Sequence, residues 1–552
     1  MMNWIAFIRT TLTPALLGVL THLGVFIHGE WHMRMPTIII CYSVCGIALL
    51  SLELYLTGNS NASMRTAGRT AGLYVTGLLS SIILYRRYFH RLKDFPGPPL
   101  AGITKLWHVW KSRDGKNHLL LEELFSHYGP IIRTGPEELT IIDAAIPDIV
   151  DGSKSQMTKA TFYDVFLPMV AISATRNVGA HDARRRVWSR AFSPKAMAGY
   201  EDIVLRYTEL LTRQIESLLG PKDADNNNQC REAVINVTDW FAWYAFDIMG
   251  EFAFSRSFNM LQDEKWHAQI RVLVDGLNAG DALGRVPWLA QLGKNMRPRM
   301  SLLKDWESMM QWCSGCMNER LHVKGARPDL TQWLIDAYLA DGARQEELAW
   351  LHGDAVTIIL AGSGTVSVSL TFAFYQLAKD PSQQQKLFDE IKDVKVNDRA
   401  QLQNCRYLTA FINETLRLYP PVPTAGNRMT PPQGVTVNNQ YIPGGITIVA
   451  PKYLIHRLES SYEEADQFIP ERWTTRTDMV KENKGFAPFS QGKYGCIGKP
   501  LAMMEMRIVI CMLLQKFEIG FQDNDAGEAL LTDLEDHFTF APGDLRLSFR
   551  LR

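Results

Sequence analysis

A cysteine set among glycines is the most specific chemical signal in this chain. Phe489, Gly492, Gly495, Cys496 and Gly498 lie in the run Phe-Ser-Gln-Gly-Lys-Tyr-Gly-Cys-Ile-Gly, and Lys499-Pro500-Leu501-Ala502 opens an apolar stretch that reads as a helix to Phe517. Glycines let a loop fold back and aim backbone N–H groups at the sulfur, and a helix start adds positive potential. Both effects favour a thiolate, a soft and electron-rich ligand of the kind that holds haem iron. An isolated loop of this composition is more often a turn around a buried cysteine, so the rest of the chain has to decide.

Three other segments have spacing with chemical meaning. Glu414 and Arg417 in Glu-Thr-Leu-Arg stand three apart in a helical run from Ala410 to Leu418, which puts both on one helix face. Such a pair is ordinarily a solvated contact of little worth. His181 and Arg185 stand four apart in His-Asp-Ala-Arg-Arg-Arg-Val-Trp, so two donors share one face, and a guanidinium can clasp a carboxylate through two bonds. The remaining arginines of that cluster, Arg184, Arg186 and Arg190, include at least two expected on a solvated or docking face. Ala361-Gly-Ser-Gly-Thr365 weakens a long apolar run from Leu348 to Lys379 with small residues and a hydroxyl. Read alone, it is a helix whose threonine bonds back to its own backbone.

Taken together, in this order, these segments resemble the cytochrome P-450 superfamily of haem-thiolate monooxygenases, from about Phe95 to Arg552. The ligand-loop pattern of Phe, two residues, Gly, three residues, Cys, one residue, Gly is matched at Phe489, Gly492, Cys496 and Gly498. The resemblance implies haem b (iron protoporphyrin IX) with Cys496 as its axial ligand. Thr365 would be the distal proton-relay residue. Glu414 and Arg417, with Arg472 from Pro470-Glu471-Arg472-Trp473, would form a buried structural triad. His181, Arg185 and Arg428 would meet the haem carboxylates. Two positions depart from the pattern. Gly364 stands where the family carries an acid, leaving proton delivery to Thr365, Ser363 or Ser367 and water, because Asp354 is about three turns away. Tyr494 replaces the usual Arg or His two residues before the cysteine and can donate only one uncharged hydrogen bond.

The elements that must position these groups follow from hydrophobic patterning. Residues 200–219, 237–254, 348–379 and 381–394 have helical apolar spacing, whereas 131–142 and 435–449 are β-rich. The expected fold class is mainly α (α+β), with a long distal helix, minor β-sheets and a Cys-ligand loop. Residues 223–229, with three consecutive asparagines, read as a surface loop. The apolar residues Phe162, Tyr163, Phe166, Leu167, Met169 and Ile172, and the segment Thr424-Ala425-Gly426, are expected to line a pocket for a lipophilic substrate.

The chain has 552 residues, with 58 Lys plus Arg against 58 Asp plus Glu. A zero balance argues against a nucleic-acid partner. Eight cysteines scattered over this length argue against a disulfide framework. Residues 1–94 read as a membrane anchor of one to three transmembrane helices, at about 11–27, 36–55 and 67–85. The basic collar of Arg86, Arg87, His90, Arg91 and Lys93 then places residues 95–552 on the cytosolic side. Asn61-Ala62-Ser63 is a glycosylation sequon in the opposite loop. Pro96-Gly97-Pro98-Pro99 is expected to be a stiff hinge before the catalytic body.

The resulting expectation is a monooxygenase of the endoplasmic reticulum membrane acting on a terpenoid, polyketide or alkaloid, similar to filamentous-fungal members that serve secondary metabolism. Electrons would come from NADPH through a separate NADPH-cytochrome reductase, with cytochrome b5 as a second partner. Two other readings stand beside it. One is a haem-thiolate isomerase or dehydratase needing no reductase, motivated by Gly364. The other is a non-catalytic haem-binding membrane adaptor.

Overall fold

The computed structural model describes residues 12–219, 232–295, 301–323, 329–522 and 526–552. The polar stretch 223–229 and the start of the first expected span lie outside them. Three helices come first: α1 (Thr13–Thr21, continued by a wider turn over His22–Phe26), α2 (Met35–Thr57) and α3 (Ser60–Leu84). No residue of α2 is buried, and Ile40, Val44 and Ile47 are each about three-fifths exposed, at 62%, 59% and 66%. Apolar side chains exposed on every face are stable only in lipid. The α2 and α3 helices, with the turns that extend them, are long and apolar enough to cross a membrane, and the segment Thr13–Phe26 is a shorter apolar helix.

Glycines let α1 lie directly on α3. A Cβ at Gly18 would sit 2.2 Å from the Tyr74 carbonyl, and one at Gly77 would sit 2.1 Å from the Ala15 carbonyl. Small-residue contact of this kind is how helices pair where no hydrophobic effect acts between them. Gly58, with φ +63°, ends α2, and the Asn59 side chain caps α3 by accepting from the N–H groups of Asn61 and Ala62. The sequon at Asn61 therefore stands at the turn farthest along the hairpin from the collar.

The expected hinge is docked against the body. The Pro96 carbonyl accepts from the Arg133 N–H at 2.7 Å, and Gly97 leaves no room for a side chain against Arg133. Arg86 and Arg91 of the collar donate to the carbonyls of Ile103 and Gly444.

The body is mainly helical. The helices that matter for the site are α4 (Val178–Ala191), α5 (Pro194–Ser217), α6 (Val237–Phe254), α7 (Pro287–Asn295), α8 (Gln345–Lys379), α9 (Arg406–Leu418) and α10 (Lys499–Lys516). The helical spacings of the sequence recur here with ends shifted by a few residues; the two β-rich stretches break into short strands. A five-stranded sheet is formed by β1 (Ile131–Gly135), β2 (Glu138–Ile141), β3 (Thr158–Lys159), β4 (Arg428–Met429) and β5 (Thr447–Val449), in the spatial order β1-β2-β5-β4-β3. Only the β2–β5 pairing is parallel within it. A second sheet places Arg546–Leu551 between Glu232–Asn236 and Phe517–Phe521.

Helix α8 is long and apolar enough to be mistaken for a membrane span, yet 72% of its apolar window is buried inside the body. It is apolar all round because it is packed all round. Two glycines permit that packing. A Cβ at Gly362 would fall 2.2 Å from Met249 Sδ on α6, and one at Gly353 would fall 2.1 Å from the Val170 carbonyl.

Below α8 the charges of α9 are buried. Glu414, Arg417 and Arg472 are each 0% exposed. Arg417 donates to both Glu414 oxygens at 2.9 Å, Arg472 Nε donates to Oε1 at 2.9 Å, and Trp473 Nε1 and the Ile469 N–H complete the carboxylate's shell. The guanidiniums spend their other N–H groups on the carbonyls of His456, Ala465, Gln467, Glu463 and Glu464. Both carboxylate oxygens and every guanidinium nitrogen have a partner, which is the condition for keeping such charges out of water.

Two stability outcomes follow. Glu414→Ala strands two buried guanidiniums and should cost about 3–5 kcal/mol in urea unfolding. Glu505 on α10 is the opposite case: it is buried, its Oε2 has no partner among the described residues, and burial raises its pKa from 4.5 to about 8. The fold thus binds this proton more tightly than the unfolded chain does, so its stabilisation is complete below pH 4.5 and is lost as pH rises through about 8. Glu505→Gln should flatten that slope and raise stability at neutral pH by about 3 kcal/mol.

Candidate active site

The ligand loop is built by backbone geometry. The Cys496 N–H donates to the Phe489 carbonyl at 2.7 Å, which closes the loop, and Gly495 N–H donates to Gly492 carbonyl at 3.1 Å. Gly492 has φ +58°, and a Cβ there would lie 2.0 Å from the Asp151 carbonyl, so glycine is required twice over. Gly498 comes within 3.7 Å of Cys496 Sγ at the position of its missing Cβ. Phe489 packs against the main hydrophobic cluster, with the Lys499 ammonium 5.6 Å from its ring centre.

Cys496 is exposed toward one side and crowded by protein on the others. Burial raises its thiol pKa, and the N–H groups of Gly498 and Lys499 with the Arg185 and Lys499 charges pull it back only in part. The amides expected to favour a thiolate are in place, and burial works against them. A bound metal cation is what would remove the thiol proton.

Helix α4 sets two donors against this loop. Arg185 Nη1 donates to the Gly495 carbonyl at 2.7 Å, and the His181 ring lies edge-on to Tyr494 at 4.9 Å, its Nδ1 3.0 Å from Asp182. The i, i+4 pair thus faces the loop as a unit. Asn177 accepts from the Ala180 N–H and fixes where this helix starts. Arg428 is also present but committed. It grips Asp151 through two nitrogens at 2.6 and 3.3 Å, contacts the Tyr163 hydroxyl at 3.3 Å, and lies 4.6 Å above the Tyr494 ring. Burial opposes its charge, but Tyr163 and Asp151 outweigh that and raise its pKa.

Two lysines escaped the sequence analysis. Lys159 on β3 donates to the carbonyls of Ile172 and Ser173 at 2.6 and 2.7 Å, and its ammonium is 5.6 Å from the Tyr494 ring centre. Lys452 stands beside Gly426. Burial lowers them to about 7 and about 8, respectively, Arg428 adds repulsion, and Asp151 is the nearby acid common to both. Arg428, Lys159 and Lys452 therefore gather near the buried Asp151, and Arg185 meets the loop from α4. Nothing in the spacing of the chain marks the lysines, because the sheet and the turn after β5 bring them in from distant segments.

Asp354 is a second omission. Too distant in the sequence to serve as a proton donor, it is an anchor: buried in α8, it accepts from Arg184 Nε and Trp188 Nε1 at 2.6 Å each and from the Ile172 N–H at 3.1 Å. Arg184 is buried on it, while Arg186 and Arg190 are the two members of the cluster on the exposed face.

The middle of α8 is where its burial is interrupted. Ala361 is exposed, Gly362, Gly364 and Thr365 are half-buried, and a Cβ at Gly364 would meet open space. Thr365 Oγ1 donates to the Ala361 carbonyl at 2.7 Å. Ser363 donates to the Ala245 carbonyl on α6 and Ser367 to the Gly364 carbonyl, both buried. Of the three hydroxyls considered for proton delivery, only Thr365 lies on the accessible stretch.

A separate cavity is bounded by Phe162, Phe538, Thr424, Ala425, His108 and Arg285. It joins two of the segments expected to line a pocket. Tyr163 and Ile172 are instead buried in the interior, and Met169 packs against Gly353.

The accessible thiol with its converging amides, the open face of α8 and the excess of cations fit a dianionic metal macrocycle. The comparisons agree. The cytochrome P-450 family model matches residues 96–547. The chain is 36% identical over 535 residues to cytochrome P-450 monooxygenase notG' of Aspergillus versicolor, covering 95% of this chain and 94% of that protein. It is 34% identical over 536 residues to tryprostatin B 6-hydroxylase of Aspergillus fumigatus, covering 95% and 93%. With cytochrome P-450 monooxygenase lcsK of Purpureocillium lilacinum it shares 32% identity over 547 residues, covering 97% of each.

Removing the donors on α4 should loosen the group that the loop holds. Arg185→Ala, and His181→Ala to a smaller extent, should weaken haem retention by about tenfold to a hundredfold, as expected for one charge-assisted hydrogen bond. Transfer of haem to apomyoglobin, followed optically, measures it, while Arg186→Ala on the same helix should leave the transfer rate unchanged.

Proposed function

The chain belongs to the cytochrome P-450 family and is a haem-thiolate monooxygenase, and on that premise we propose that it oxidises a lipophilic secondary metabolite at a membrane surface. When bound, haem supplies the activation of dioxygen, with a thiolate ligand pushing electron density toward O–O cleavage. The observation that carries the assignment of residues is the convergence of Arg185, the Gly498 and Lys499 amides and Cys496 on one accessible sulfur.

In this reading Cys496 is the axial ligand, Phe489 and Gly498 shape its surroundings, and His181 and Arg185 meet the haem carboxylates from α4. Arg428 acts through its neighbours: it orders Tyr494 and Asp151 and adds positive potential, while Lys159 and Lys452 supply the charge that Tyr494 lacks. Glu414, Arg417 and Arg472 are architecture. Thr365 Oγ1 moves the proton, turning from the Ala361 carbonyl toward the accessible side. The space beside Gly364 admits water to that hydroxyl, which replaces a side-chain acid by a solvent path.

The substrate class rests on the relatives. One of them is named for hydroxylating tryprostatin B and all are fungal, so a ring-bearing fungal metabolite of alkaloid, terpenoid or polyketide type is the proposed substrate. We place the enzyme in the endoplasmic reticulum membrane by α2 and α3, with the body on the cytosolic face where the collar lies. NADPH-cytochrome reductase would supply electrons, and cytochrome b5 would be an auxiliary donor.

The reduced, carbon-monoxide-bound protein should show the red-shifted thiolate Soret band, and Cys496→Ala should lose it. With NADPH and reductase, Thr365→Ala should keep that band and still consume oxygen, but product formation should fall by about a hundredfold. Turnover without reductase would instead establish the isomerase or dehydratase reading that Gly364 motivates. The band with no turnover of any lipophilic metabolite would establish the adaptor.

A further inference from the structure

The linker between α1 and α2 reaches the catalytic body. His32 Nε2 lies 2.8 Å from Asp164 Oδ2, and Arg176 Nη1 donates to the same oxygen at 2.5 Å. Arg176 also binds both oxygens of Glu30, at 2.8 and 2.7 Å. Two groups from the α1–α2 linker and two from the body thus form one network. His32, Asp164 and Arg176 are only 12%, 14% and 22% exposed at the side chain, so the network is more shielded than a surface pair.

Asp164 sits in the short turn Thr161–Phe166, and that turn is a wall of the cavity. Phe162, two residues earlier, lines the cavity and stacks on Phe538 with ring centres 5.8 Å apart. Helix α7, whose Pro287 also lines the cavity, packs against α2, against the His32–Arg34 turn and against Thr161–Phe166. The linker therefore touches two sides of this opening, and it lies at the same end of the α2–α3 hairpin as the docked collar.

We propose that Glu30 and His32 are positioning residues for the oxidation, clasping Asp164 and Arg176 so that the Thr161–Phe166 wall is fixed and bulky molecules enter slowly and selectively. Glu30, His32 and Asp164 also place ligand atoms within 4.8 Å of one another, as a metal site would. The Arg176 guanidinium bonds both carboxylates and offsets part of their charge without an ion.

The proposal rests on the haem-thiolate reading for its optical signal, and the test separates the two. Full-length haem-loaded enzyme in phosphatidylcholine nanodiscs is mixed with imidazole or with the bulky azole clotrimazole, and the Soret shift is followed by stopped flow. In Glu30→Gln/His32→Ala the clotrimazole association rate should rise about fivefold, the loss of roughly one shielded ion pair. Imidazole should bind as in the wild type, and amide exchange over 161–167 should accelerate. Wild-type protein lacking the thiolate band overturns the haem reading. A normal band with unchanged clotrimazole rates and unchanged exchange overturns the clasp. So does loss of the band in the double variant, because the linker would then support the ligand loop. Faster clotrimazole binding in the wild type after chelator treatment alone would replace the clasp by a metal site.

Discussion

Glu414 holds a negative charge where no water reaches, so its carboxylate has to be saturated by protein, and meeting that requirement organises the segment ahead of the ligand loop. Arg417 and Arg472 cancel the charge and use their spare N–H groups to pin the carbonyls between His456 and Gln467. His456 passes the order on. Burial, with the charges of Lys452, Arg417 and Arg457, lowers its pKa to about 3, so it is neutral and Nε2 accepts from the Ala487 N–H. Ala487 in turn accepts from Ser490, within the loop that presents Cys496. A charge pair on α9 thereby sets the position of a sulfur far along the chain.

The second constraint is the charge balance on the other side of that sulfur. Asp151 neutralises Arg428, and Asp354 neutralises Arg184 while holding α4 against α8. What remains, the buried Lys159 with the half-buried Arg185 and Lys452, is a surplus of shielded cation, expensive to keep unless an anionic group shares the space. Tyr494 carries no charge of its own, and Lys159 and Arg428 stand over its ring. On α8 the same substitution of place for residue type occurs: Gly364 removes the acid and leaves room for water beside Thr365.

The anchor is not a passive tether. Arg86, Arg91 and Pro96 dock on the first sheet and its neighbours, and Glu30 and His32 reach the cavity wall. The apolar N-terminal helices and the body are consequently tied to one another on both sides, at the first sheet and at the cavity wall.

The chain by itself determined the features set by local rules. Apolar runs defined α2, α3 and α8, glycine spacing marked the Cys496 loop, and the i, i+3 and i, i+4 spacings put Glu414 with Arg417 and His181 with Arg185 on shared helix faces. Periodicity could not tell a membrane helix from a central one, since α8 and α2 are both apolar all round; packing decided that. Only the tertiary structure decided which charges face one another. Arg184 and Asp354, Arg428 and Asp151, Lys159 beside Tyr494, and Arg176 with Glu30 are pairings between segments whose separation along the chain carries no periodic signal. The cost of burying a charge, not any local pattern, selects them, and that cost exists only once the chain has folded.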